Sequence, residues 1–170
     1  MNYKAMMSPK EIAFIEKYLT KDKVMLEWGA GGSTLYFSQL VKEYYSIEHN
    51  PIWWSKIKNS ARYLEKNNIN IFNAKNDMKF TIPSEYNQFK KYINYIDKIG
   101  ISKYDIILID GRARQWCAEK ALKYIDSNSI IFIHDYFNRD RYKIIEKWYN
   151  IMDGIEDTEQ TIVALRSKEH

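Results

Sequence analysis

A three-layer α/β domain, with a mostly parallel sheet and helices on both faces, is the fold class this sequence predicts. Three observations carry that expectation. Short apolar runs rich in β-branched residues alternate with longer stretches of helical periodicity. One of those runs leads directly into a glycine-rich turn. No Gly/Ser or Pro-rich linker and no internal repeat divides the 170 residues, so a single domain over 1–170 is expected.

The strand candidates are VMLEW from Val24, YYSIE from Tyr44, INIFNA from Ile69, YDIILID from Tyr104 and SIIFIHD from Ser129. Helices are expected over 8–19, 33–41, 51–66, 114–125 and 138–152. The first opens Ser8-Pro9-Lys10-Glu11, with a serine cap, proline at the first helical position and a glutamate placed to complete a capping box. Pro51 opens the third in the same way. TIVALR from Thr161 reads as a last strand, antiparallel at the sheet edge because only a short connection precedes it. Residues 79–102, rich in Tyr and Lys, are too long for a simple connection and are expected to form a helical flap beside the cleft.

With hydrophobic residues at 45% and charged ones at 28%, the composition is that of a soluble globular protein rather than a disordered or fibrous one. No apolar stretch approaches the roughly 20 residues of a membrane span, and the start of the chain lacks a signal-peptide core, so the expected location is the cytoplasm, with no membrane partner. The single cysteine, Cys117, forms no internal disulfide and has no neighbouring ligand set for zinc; it is read as a helix residue. The formal charge of +4 is too slight to imply a nucleic-acid partner. The 14 Tyr and five Trp imply that some aromatics lie at the surface or line a cleft.

The most informative stretch runs from Val24 to Thr34, a strand leading through Glu27-Trp28-Gly29-Ala30-Gly31-Gly32 into a helix that Ser33 or Thr34 can cap. A dinucleotide fingerprint would need a third glycine where Thr34 stands. Glu27 would repel a pyrophosphate but suits a ligand that carries an amino group and a sulfonium. The stretch resembles the first motif of the class I S-adenosylmethionine-dependent methyltransferases, E/D-x-G-x-G-x-G, with Glu27, Gly29 and Gly31 matching and Ser33 in place of the last glycine. That resemblance implies a Rossmann-like methyltransferase fold with S-adenosylmethionine as cofactor, held by Glu27, Gly29, Ala30, Gly31, Ser33 and Thr34.

The second strand ends in Ile47-Glu48-His49. A carboxylate there can accept both hydroxyls of a ribose, in Rossmann-like folds of either cofactor class; Glu48 and His49 therefore join the cofactor set. Asn76 and Asp77 lie where the family contacts adenine and are expected to bond its exocyclic amine.

At the carboxyl ends of the fourth and fifth strands stand Asp110 and His134-Asp135, the place where open α/β sheets collect ligands. Methyl transfer to a hydroxyl needs a base, and a histidine with an ordinary pKa near 6.5 suits that task. His134 is the expected base, with Asp110 or Asp135 to orient it. Arg112, Arg114 and Tyr136 are the expected acceptor-binding residues. LIDGRARQWCAEKAL and IIFIHDYFNRDRY are similar to the later half of small O-methyltransferases, including sugar and glycan methyltransferase-like proteins, so that the resemblance covers about 24–149.

The resemblance implies O-methylation of a small polar acceptor, a sugar, nucleotide-sugar or glycan. Catechol-type relatives hold magnesium at these strand ends, but a histidine in the ligand set disfavours it; manganese or another divalent ion stays open without being favoured. RNA methylation is the alternative enzyme reading, supported by the lysines of 79–98. His134-Asp135-Tyr136-Phe137 stands in place of the N-P-P-Y tetrapeptide of base amino methyltransferases. A non-catalytic cofactor-binding module is the third reading. A homodimer is expected, because so short a chain has little material to roof its own cleft.

Overall fold

In the computed structural model, which describes residues 5–75, 84–156 and 161–168, the five apolar runs form the parallel strands β1 (Val24–Trp28), β2 (Glu43–Glu48), β3 (Ile69–Asn73), β4 (Ile106–Ile109) and β5 (Ile130–His134). β6 (Tyr149–Glu156) and β7 (Thr161–Ser167) complete one sheet in the order β3-β2-β1-β4-β5-β7-β6. Every residue of β4 and β5 is buried, which is why both read as unbroken apolar runs: a parallel strand covered on both faces has no polar side to show.

Side-chain alternation divides the core into two layers. Ile107 and Ile109 of β4 pack with Ile131 and Ile133 of β5 on one face, while Ile106 and Leu108 pack with Ile130 and Phe132 on the other. Helices α4 (Glu85–Ile93) and α5 (Arg114–Ala121) cover the first face through Tyr92, Cys117 and Ala118; α1 (Pro9–Glu16) covers the second through Phe14 and Ile15. α2 (Gly32–Phe37) and α3 (Pro51–Tyr63) connect β1 to β2 and β2 to β3. Cys117 is a buried helix residue. Among the described residues, no helix is long and apolar enough to cross a membrane.

Local chemistry sets the helix starts. Glu11 N donates to Ser8 Oγ, and the Glu11 carboxylate returns the bond to Ser8 N at 2.9 Å, so the capping box read from the sequence is present. At α3 the cap is Asn50, whose Oδ1 accepts from Ile52 N and Trp53 N at 3.0 and 3.1 Å, with Pro51 in the first turn.

Two regions differ from the sequence reading. The stretch expected as a helix over 138–152 is instead a 3-10 segment, Asp140–Lys147, followed by β6. Tyr149 is buried and its hydroxyl donates to Ala118 O at 2.8 Å, which draws the chain into the sheet; pairing with β7 then satisfies the backbone beyond it. β7 is antiparallel to β5, as the sequence suggests, but β6 takes the edge outside it. β6 has the marks of a managed edge: exposed Asn150 and Asp153, and a register shift between Ile151 and Asp153.

Within 79–102, where a flap is expected, residues 84–102 carry α4 and the 3-10 turn Asn94–Lys98. Phe89, Tyr92, Ile93 and Ile96 recur at helical spacing and are buried against the sheet. This is a crossover helix between β3 and β4, and its first turn reaches the cleft through Glu85. Removing the α1 cap with Ser8→Ala is expected to lower stability by about 1 kcal/mol, read from the midpoint of denaturant unfolding at unchanged slope.

Candidate functional site

Strand order reverses between β1 and β4, the point where open α/β sheets leave a crevice at their carboxyl edge. A cleft of about 560 Å³ lies there, bounded by the glycine turn after β1, the end of β2 and the loops after β4 and β5. Gly29 adopts φ +108°, and a Cβ on it would come within 2.8 Å of the Gly111 backbone. A side chain on Gly111 would in turn strike the Tyr92 hydroxyl and approach Trp28 O to 3.1 Å. The two loops thus meet backbone to backbone, which only a pair of glycines allows. The sequence pattern singled out Gly29; Gly111 was overlooked, although its place after a buried strand was the available signal.

Glu48 anchors the other wall. Its buried carboxylate accepts from Ala30 N at 3.0 Å and from Asn50 N at 2.7 Å, and lies 3.0 Å from His49 Nδ1. Two carboxylate oxygens have about four acceptor positions, so capacity is left for a ligand hydroxyl. His49 packs edge-on against Phe89 and Tyr92, each at 5.3 Å between ring centroids. Trp53, which the sequence reading missed, donates its indole N–H to Ala30 O and lines the cleft; the signal was an aromatic in the first turn of the helix after Glu48. Ala30, Gly31 and Ser33 also line it, and Gly31 N donates to Thr34 Oγ1 at 2.9 Å.

Glu27 and Thr34 do not line the cleft. Both are fully buried, and the Glu27 carboxylate accepts from the hydroxyls of Ser33, Thr34 and Ser46. Burial pushes its pKa up to about 7 against the Ser33 and Thr34 bonds that favour its charge, with Asp110 adding repulsion. Glu27 is a buckle under the glycine turn, not a ligand contact. Asn76 and Asp77 lie outside the described residues.

At the chemical end, Asp110 lines the cleft with its Oδ1 2.8 Å from His134 Nδ1. His134 does not line it: it is buried, with Nε2 3.2 Å from Glu11 Oε1 and Nδ1 3.6 Å from Asp135 Oδ1. Burial disfavours its charge, but Asp110, Asp135 and Glu11 outweigh that and hold its pKa above the ordinary value. A histidine that keeps its proton longer and sits behind a carboxylate is not the base expected from sequence; Asp110 is the carboxylate that meets the cleft. Asp135, at φ +53°, does not itself line the cleft but pairs with two arginines that do, Arg114 and Arg139, at 3.1 and 3.0 Å.

Arg114 lines the cleft, but its donors turn to its own chain. Its Nε donates to Gly111 O, Nη1 to His134 O and Asp135, and Nη2 to Asp110 O and Oδ1. All five N–H groups are engaged, so Arg114 ties the ends of β4 and β5 together with no donor left for an acceptor. Tyr136 is buried with its hydroxyl donating to Glu146 at 2.8 Å, and it does not reach the cleft. Arg112 lines it, and the structure adds Arg139, Arg141 and Tyr142 from the segment after β5, visible in the sequence only as the basic run NRDRY. Among the described residues, no group of three His, Cys, Asp or Glu side chains is arranged to hold a metal ion.

No protein-family model matches the chain, and no curated protein matches it. Solved structures do. A methyltransferase-like protein from Silicibacter pomeroyi superposes with a TM-score of 0.78 at 19% identity, over 98% of this chain and 90% of that one. A candidate methyltransferase from Streptococcus mutans, solved in complex with SAH, gives 0.66 at 14% identity over 96% and 99%. The precorrin-6y C5,15-methyltransferase of Geobacter metallireducens gives 0.65 at 15% identity over 93% and 87%. The fold is therefore the Rossmann-like fold of S-adenosylmethionine-dependent methyltransferases, mostly parallel with an antiparallel edge.

The buried Glu27 sets a pH dependence. Its pKa is raised from 4.5 to about 7 on folding, so the folded chain binds the extra proton between those values and stability falls as pH rises through them. Relative to the wild type, Glu27→Gln is expected to remove this decline and to gain on the order of 3 kcal/mol above about pH 8. Denaturant unfolding of both proteins from about pH 5 to pH 8 checks this; parallel pH profiles would contradict it.

Proposed function

We propose that this chain is an S-adenosylmethionine-dependent O-methyltransferase acting on a hydroxyl of a small polar acceptor, a sugar, nucleotide-sugar or glycan. The observation that carries the reading is the backbone contact of Gly29 with Gly111, which opens a cleft beside a Glu48 carboxylate with unused acceptor capacity. These residues fit a nucleoside cofactor: Glu48 would hold the ribose hydroxyls, His49 and Trp53 would flank the nucleoside, and Ala30, Gly31 and Ser33 would border its methionine part. The complex of the Streptococcus mutans neighbour with SAH, the demethylated form of S-adenosylmethionine, supports the same choice.

Bound cofactor supplies an electrophilic methyl group on a sulfonium. The chain's own task is then to bring a hydroxyl into line and to take its proton. Asp110 is the group placed to accept that proton, since it faces the cleft at the end of β4 while the other neighbours of His134 face inward. His134 is a positioning residue: it presents a proton to Asp110 from behind, and Arg114 fixes the same carboxylate from the side at 3.5 Å. Glu85, Asp110 and Arg112 make this end of the cleft polar, which suits a hydroxylated acceptor rather than an apolar one.

Titration calorimetry with SAH tests the cofactor site. The wild type is expected to bind, and Glu48→Ala to weaken binding at least about tenfold, the loss of charge-assisted hydrogen bonds to a ribose. Asp110→Asn is expected to keep SAH affinity and to lose methyl transfer to hydroxyl acceptors. Unaltered SAH affinity in Glu48→Ala would overturn the site, and wild-type turnover in Asp110→Asn would overturn the base.

A further inference from the structure

The half of the cleft over β4 and β5 holds more positive charge than its carboxylates neutralise. Asp135 is shared between Arg114 and Arg139, at 3.1 and 3.0 Å, and also faces His134. Asp110 is shared between His134 and Arg114. Arg139 therefore has at most part of one carboxylate. Arg141 lies 3.9 Å from Glu85, beyond hydrogen-bond range, and is half exposed. Among the described residues, no carboxylate pairs with Arg112, which is exposed on the loop after β4. The guanidiniums of Arg139 and Arg141 both stand within 6 Å of the Tyr142 ring centroid, at 5.9 and 5.0 Å. Arg141 also donates to the Tyr142 hydroxyl at 3.2 Å, so one side chain holds two guanidiniums at the cleft.

We propose that the acceptor carries a phosphoryl group, bound by Arg112, Arg139 and Arg141 at the β4–β5 end of the cleft, so that the substrate is a phosphorylated or nucleotide-linked sugar rather than a neutral one. The inference rests on the methyltransferase reading of the same cleft. Three guanidiniums from separate chain positions suit the several oxygens of a tetrahedral dianion, whereas a planar carboxylate engages a single fork. The strand order keeps this end apart from the nucleoside end. Glu48 stands on β2 and the arginines follow β4 and β5, with Asp110 on β4 between them. A substrate anchored by its phosphoryl group is thereby held on the Asp110 side of the cleft.

The test is calorimetric titration of the full chain with inorganic pyrophosphate and, separately, with acetate, in the presence and absence of SAH. Pyrophosphate is expected to bind the wild type and acetate to bind much more weakly. The double variant Arg139→Gln/Arg141→Gln is expected to weaken pyrophosphate binding about tenfold or more, and Arg112→Gln to weaken it by a smaller factor, with SAH affinity kept within about twofold in both. Retained SAH binding shows that the variants are folded. Pyrophosphate binding that is absent from the wild type, unchanged in both variants or matched by acetate overturns the phosphoryl site alone. Failure of the wild type to bind SAH overturns the cofactor reading instead, whatever pyrophosphate does.

Discussion

Two glycines, one after β1 and one after β4, touch through their backbones, and the rest of the site is arranged around that contact. It lets the loops of two adjacent parallel strands pass at a distance no side chain would permit. The turn at Gly29 then swings Ala30 toward Glu48, and the loop at Gly111 brings both Arg112 and Arg114 to the cleft wall. One close approach thus sets an exposed arginine beside another, two positions on, whose donors are spent on the chain itself.

The second constraint is the satisfaction of buried charge. Glu11, His134, Asp110, Arg114 and Asp135 form a chain of alternating sign from beneath the sheet to the cleft floor. Isolated, each would be costly to bury; linked, each supplies the partner the next requires. The arrangement also fixes roles. The arginine whose donors are all engaged, Arg114, is structural, whereas Asp110, which lines the cleft, and Arg139, which shares Asp135 with Arg114, are free to meet a substrate. Glu27 is settled differently: among the described residues no cation pairs with it, burial raises its pKa, and the hydroxyls of Ser33 and Thr34 offset part of that cost.

How much of this was legible in the sequence depends on the range of the interaction that decides each feature. The five parallel strands, the helix starts at Ser8 and Pro51, and the glycine turn are set by local patterns, and the sequence shows them. Glu48 was legible because its place after the second strand follows from topology. The edge strand β6 was not, since its residues also satisfy a helical period and only the contact of Tyr149 with Ala118 and the pairing with β7 decide the matter. The helical character of α4 was legible, but not its bounds or its packing on the sheet, which rest on contacts of Phe89, Tyr92 and Ile93 with residues distant in sequence. In the site, residue type alone could not tell Arg112 from Arg114 or Asp110 from Asp135, because the direction of each side chain is decided by the positive φ at Ala113 and Asp135 and by partners distant in sequence. His134 drew attention as a histidine at a strand end; the three carboxylates around it, which change its role, come from three different elements.

The partner of His134 on the far side is supplied by α1, separated from β5 by most of the chain. Because α1 precedes β5 in the chain, it cannot find its polar partner until the fifth strand has been made and paired. Closing so long a loop is slow. Assembly of the floor beneath the cleft is consequently a late event in folding, and the competence of the site to hold its charges reports on completion of the whole domain rather than of its glycine-bearing half.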